Sequence, residues 1–171
     1  MFFTELQDEI QANASRFGLD TTRQYEGSAH RQVTDVLLRG PDYGAEGATL
    51  QSLHHELECF DYEELDLFPE VMGTVQDIVS DNVVGRVILA KLAPDGIIFP
   101  HKDEGPVPEF YTRCHYVIQG ESTFIIDGHE QVMKEKELWI VNVLNEHSVI
   151  NHGTIDRIHL IVDVHATTPT T

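Results

Sequence analysis

The sequence predicts a mainly β chain: an antiparallel double-sheet roll of the jelly-roll or cupin type, with flanking helices in its N-terminal part. Three observations predict it. From Val83 onward, short β-branched segments follow one another, separated by Gly, Pro, Asp and Asn. There are roughly eight of them, the number that a double-sheet roll uses. Ahead of them, two stretches carry apolar residues at helical rather than alternating spacing.

The elements follow in order. Residues 3–17 place Phe3, Leu6, Ile10 and Ala14 on one helical face, and Gly18 supplies a stop. Residues 32–39 read as a strand closed by Gly40-Pro41, and 42–48 are turn-rich. Residues 69–79 return to helical spacing, with Pro69 in the first turn, where its missing N–H costs nothing. Strands are then expected at 84–92, 97–99, 112–118, 122–126, 130–133, 138–143, 147–151 and 155–164. Ala93-Pro94-Asp95-Gly96, Gln119-Gly120 and the tight-turn pair Asp127-Gly128 punctuate them. Trp139 is expected in the core. With no repeat and no linker, residues 1–171 form one expected domain: 1–80 pack on the roll, 83–165 are a metal-binding core, and 166–171 are a flexible tail.

Composition narrows the function. The 171 residues are enough for one sizeable core. The formal net charge of −18 repels nucleic-acid backbones and anionic membranes, so neither is an expected partner. Any anionic ligand must therefore be drawn in by local positive charge. No apolar run is long enough to span a bilayer, and the opening residues lack a basic and apolar leader pattern, so the expected location is cytoplasmic. Cys59 and Cys114 form no metal-binding CxxC pair and are expected as reduced thiols. Most of the ten histidines lie after position 100, which directs attention to the second half.

There, Pro100-His101-Lys102-Asp103 places an imidazole and a carboxylate two residues apart. On an extended strand both face the same side and can chelate one metal. His147, at the start of a late strand, is the best third ligand. Two histidines and one carboxylate on one face of an octahedral ion leave the other face open, which marks non-heme Fe(II) oxygenases. Arg157 lies ten positions further on. Alternation puts Ile158, Leu160 and Val162 on one face of its strand, and Arg157, His159 and Ile161 on the other. An arginine facing the core needs an anionic partner. The distal carboxylate of 2-oxoglutarate would supply one through a bidentate fork. Arg113 and His115 likewise share a face and could hydrogen-bond a carboxylate of co-substrate or substrate.

His101, the Arg113-x-His115 strand, Glu146-His147-x-Val149 and the closing run from Arg157 to Asp163 together resemble the aspartyl/asparaginyl β-hydroxylase family. The resemblance runs from about residue 89 to 163. It implies a double-stranded β-helix, Fe(II), 2-oxoglutarate as co-substrate, and hydroxylation of an Asp or Asn side chain in a peptide or protein. Relatives act on free amino acids. Some members carry Gly where this chain has Asp103 and use two histidines only. A serine that helps to hold the co-substrate in the family falls near Ala90, so that hydrogen bond is lost or Lys91 replaces it.

Each residue also has a plainer reading. His101 and Asp103 alone could be loop residues, His147 a strand-end histidine, and His115 a satisfied core histidine. Arg157 alone would pair at the surface with Asp156 or Asp163. His159, on the face of Arg157, is expected to support it. His30 is expected to start a strand and line the mouth of the roll, and His152 and His54-His55 to be solvated. The acidic run 56–64 is read as a solvated face. Two rival functions share the roll: a cupin-like metalloenzyme that does not use 2-oxoglutarate, and a binding module without metal.

Overall fold

The computed structural model describes residues 3–44, 49 and 55–167. Ten strands form two antiparallel sheets. β1 (Val33–Gly40), β2 (Phe60–Asp61), β3 (Val83–Leu92), β5 (Thr112–Gln119), β8 (Leu138–Val141) and β10 (Arg157–His165) make the larger, in the order β2-β1-β3-β10-β5-β8. β4 (Ile97–His101), β6 (Ser122–Ile126), β7 (His129–Met133) and β9 (His147–Ile150) make the smaller, in the order β4-β9-β6-β7. From β3 on, successive strands leave one sheet for the other, the β6–β7 hairpin excepted, so that β10 returns between β3 and β5 and β9 between β4 and β6. That winding is the double-stranded β-helix, and it places one cavity between the sheets.

The outer face of the larger sheet is covered by α1 (Phe3–Ala12) and α2 (Pro69–Val79). Leu6 and Ile10 of α1 and Val71, Val75 and Val79 of α2 bury against Leu89, Ile158, Leu160 and Val162. Both faces of β10 are therefore covered, which is why its first seven residues are all buried. The carboxylate of Glu9 accepts hydrogen bonds from the N–H groups of Glu70 (2.8 Å) and Val71 (2.9 Å). It thereby satisfies two donors that the start of α2 leaves open and fixes the two helices together.

Three expectations change. The first helix stops at Ala12 rather than at residue 17, giving way to a short 3-10 turn at Ala14–Arg16 and to Gly18 at φ +83°. The strand expected at 138–143 ends at Val141. Within the tail expected at 166–171, Thr167 is held by bonds to Asn82 (3.2 Å) and Asp81 (3.3 Å); residues 168–171 lie outside the described residues. Residues 45–48 of the turn-rich stretch also lie outside them, as does His54. No helix among the described residues is long and apolar enough to cross a membrane.

Candidate metal centre

His101 and His147 are cross-strand partners on β4 and β9, with ring centroids 4.2 Å apart. A bulge makes this possible. Ile98 pairs with Val149, so regular pairing would set Pro100 opposite His147 and turn His101 outward; one extra residue on β4 lets both Ile98 and His101 face the cavity. Pro100 has no N–H to lose at the break in the ladder. Asp103 lies past the end of β4, and its backbone N–H donates to Val143 O (3.0 Å), which holds the side chain at the cavity. The His-x-Asp pair thus converges by bulge and loop rather than along one regular strand.

The three side chains bring one ligand atom each to within 4.8 Å of one another. Each histidine hydrogen-bonds through Nδ1 to a backbone carbonyl, His101 to Phe99 O (2.8 Å) and His147 to Asn145 O (3.0 Å). A carbonyl accepts only from N–H, so Nε2 is left as the lone pair in both rings. Nε2 of His101 is buried and has no partner. Burial lowers the pKa of His147 and keeps it neutral; the bond to Asn145 opposes that shift. Burial also resists ionisation of Asp103. The Arg113 guanidinium bonded to it outweighs that and holds the carboxyl well below the usual carboxylate range. Two neutral imidazole nitrogens and one carboxylate are a donor set suited to a divalent first-row metal, and the unpartnered Nε2 shows that the residues fit one.

Arg113 departs from its expected role. Its Nε and one terminal nitrogen fork onto Asp163 (2.8 and 3.0 Å), and the other reaches Asp103. Its guanidinium is spent on protein carboxylates, so Arg113 orients the candidate ligand Asp103 rather than gripping a co-substrate. Asp163, 1% exposed, stands directly opposite Arg113 on β10 and was missed in the sequence. The signal was available: it shares the face of Arg157, His159 and Ile161.

Arg157 is fully buried, and neither Nε nor one terminal nitrogen has a partner. The other terminal nitrogen donates to Nδ1 of His159 (2.6 Å). Burial pushes the guanidinium down to about 9, against the pull of Asp35, which leaves it charged at neutral pH. Asp35 itself is bound by both ends of Arg23 (2.7 and 2.8 Å). His159 supports Arg157 as expected, and His115 lies 3.4 Å from the same Nδ1. Nδ1 of His159 must be a lone pair to receive Arg157, and Nε2 of His115 is buried without a partner. Ala90 lies in the cavity wall. Lys91 points to the helix-covered side, paired with Asp156 (3.8 Å) and lying over the Phe17 ring, so it does not take the place of the missing serine.

Burial, followed by the charge of Arg157, lowers the pKa of both His115 and His159 well below 6.5. The folded state therefore binds fewer protons than the unfolded one below that pH. Stability present above pH 6.5 is lost as pH falls through it, by up to about 1.4 kcal/mol per pH unit for each histidine. Urea unfolding of the metal-free protein at pH 7 and pH 5.5 is expected to show this loss. His159→Asn, which keeps an acceptor near Nδ1, is expected to remove about one proton's share of the slope.

Among the described residues the three candidate ligands, Arg157, His115 and His30 line one cavity of about 720 Å³. His30 meets the His101 ring edge-on at 4.6 Å; it lies in a turn ahead of β1 rather than starting a strand. Trp139 is half-buried at the edge of the inner core, and its Nε1–H donates to Glu137 (3.0 Å). Both cysteines are free thiols.

A jelly roll with two histidines and an aspartate gathered inside it defines a protein with a candidate mononuclear metal site. A model of the aspartyl/asparaginyl beta-hydroxylase family matches residues 49–167, and the chain belongs to that family. No curated protein matches the chain. Among solved structures, a predicted oxalate decarboxylase from Thermotoga maritima is similar at 23% identity, covering 48% of this chain and 68% of that one, with a TM-score of 0.41. A Cupin 2 conserved barrel domain protein from Salinispora arenicola is 14% identical over 47% of this chain and 63% of its own, with a TM-score of 0.39. A Photorhabdus luminescens protein is 15% identical over 77% and 74%, at 0.44. All three TM-scores lie below 0.5, and the fold rests on the strand order itself.

Proposed function

We propose that the chain is an Fe(II)- and 2-oxoglutarate-dependent dioxygenase that hydroxylates an amino-acid side chain, of the Asp/Asn type in a peptide or protein or in a free amino acid. The observation that carries this reading is Arg157. A charged guanidinium, fully buried and with two nitrogens lacking partners, is costly unless an anion arrives. It lines the same cavity as His101, Asp103 and His147, and a short dicarboxylate spans a metal and a cation in one pocket.

Iron would be held by Nε2 of His101, Nε2 of His147 and the Asp103 carboxylate. With 2-oxoglutarate and O₂, the bound metal supplies oxidation of a C–H to C–OH, with one oxygen atom entering succinate, the other the substrate, and CO₂ leaving. The chain's own residues orient and exclude. Arg113, braced by Asp163, keeps Asp103 turned toward the histidines and ionised. His159 accepts from one end of the Arg157 guanidinium, so the remaining nitrogens point to a ligand in one fixed geometry. Nε2 of His115, buried and unpartnered, can hydrogen-bond a group on co-substrate or substrate. Phe124, Val149 and Ile161 keep the inner wall apolar, which limits water near the oxidising centre.

The test is coupled turnover. Purified protein with Fe(II), 2-oxoglutarate and a panel of amino acids and peptides is expected to form succinate and hydroxylated product in equal amounts. If 2-oxoglutarate is never consumed with any member of the panel, the dioxygenase reading fails.

A further inference from the structure

Seven of the eleven lysine and arginine residues line the cavity, but only two of the twenty-nine acidic residues do. A chain of net charge −18 has thus gathered its positive charge at one place. Three of the seven are already answered: Arg23 by Asp35, Arg39 by Asp61, and Arg113 by Asp103 and Asp163. Arg157 belongs to the co-substrate reading. Arg31 is exposed and has no carboxylate partner among the described residues, but its side chain is anchored at two points. Its guanidinium carbon lies 3.5 Å from the centre of the Phe99 ring, and it donates to Ser28 O (3.1 Å).

The turn that carries it is built into the wall. Ser28 is buried and its Oγ accepts from the N–H of His30 (3.1 Å). Ala29 O accepts from the N–H of Phe99 (3.0 Å), which docks the turn along the free edge of β4. Phe99 therefore serves two neighbours: its ring carries Arg31, and its carbonyl fixes His101. His30 meets His101 from the same turn. A cation held by stacking keeps its remaining donors aimed and gives up little entropy on binding. The turn also precedes residue 49, where the family match begins.

We propose that Arg31 is the residue that selects the substrate, by taking a carboxylate of an amino-acid substrate beside the metal centre. The chemistry of the reaction rests on the dioxygenase reading; the anion site does not. The carboxylate is either the α-carboxylate of a free amino acid or an acidic side chain in a peptide, and the probes separate the two.

The test is titration calorimetry of the full chain with Mn(II) and N-oxalylglycine, without turnover. The probes are L-aspartate and L-asparagine, each free, as its α-amide, and as an N-acetylated, C-amidated peptide. Wild type is expected to bind acids at least about tenfold more tightly than the matching amides. Arg31→Gln is expected to abolish that preference and Arg31→Lys to keep part of it. In Arg157→Met, titrated without the analogue, the preference is expected to persist. Weaker binding of the α-amides than of the free amino acids assigns the α-carboxylate, and preference for aspartate over asparagine in the blocked peptides assigns the side chain. No acid-over-amide preference in wild type, a preference that survives Arg31→Gln, or one that is lost with Arg157 overturns the proposal. Failure of N-oxalylglycine to bind wild type would instead strike the dioxygenase reading, and the Arg31 comparison can then be made without it.

Discussion

Arg157→Met is expected to weaken 2-oxoglutarate binding by about 100- to 1,000-fold, the effect of removing one partner of a buried charge pair. Metal affinity is expected to stay within about twofold, because Arg157 touches His159 and none of the candidate ligands. The same substitution is expected to stabilise the ligand-free protein by about 1–4 kcal/mol, since an apolar side chain of similar length replaces a buried cation with two unanswered nitrogens. Calorimetry with 2-oxoglutarate and urea unfolding of the apo protein measure the two effects. Loss of stability without loss of co-substrate affinity would make Arg157 a structural residue.

His147→Ala is expected to act differently, abolishing metal and co-substrate binding together. Removing one of three ligands from the cluster should lower metal affinity by more than about 100-fold, beyond what loss of a supporting hydrogen bond costs. The ring also stacks on Phe124 at 5.8 Å, so the alanine leaves a hole. His147→Gln, closer in volume, separates the two causes: it is expected to restore much of the stability and little of the metal affinity. Metal content after anaerobic reconstitution and Co(II) absorption titration read the outcome. Contrasting patterns in the two variants, one losing only the dicarboxylate and one losing everything, would place the metal and Arg157 in distinct parts of one site.

Much of this was legible because sheets write their faces into the sequence. In β10 the alternation of Ile158, Leu160 and Val162 with Arg157, His159 and Ile161 divides helix-facing from cavity-facing residues as the sequence predicts. The same parity puts Arg113 and His115 on one face. What stayed hidden depends on register and on partners distant in the chain. The bulge that turns His101 inward adds one residue to a ladder, and no local signal but Pro100 announces it. The capture of Arg113 by Asp163 needs the pairing of β5 with β10, fifty positions apart. The contacts of His30 with His101 and of Arg31 with Phe99 need the N-terminal turn to dock on β4, which composition cannot foresee.

The central claim is that a metal held by three side chains and a dicarboxylate held by Arg157 share one cavity. An anaerobic crystal structure with Mn(II) and N-oxalylglycine tests it most directly. The expected result is a metal ion bonded to Nε2 of His101, Nε2 of His147 and a carboxylate oxygen of Asp103, with the far carboxylate of the analogue forked onto Arg157. A metal bound elsewhere, or an analogue whose far carboxylate avoids Arg157, would contradict it.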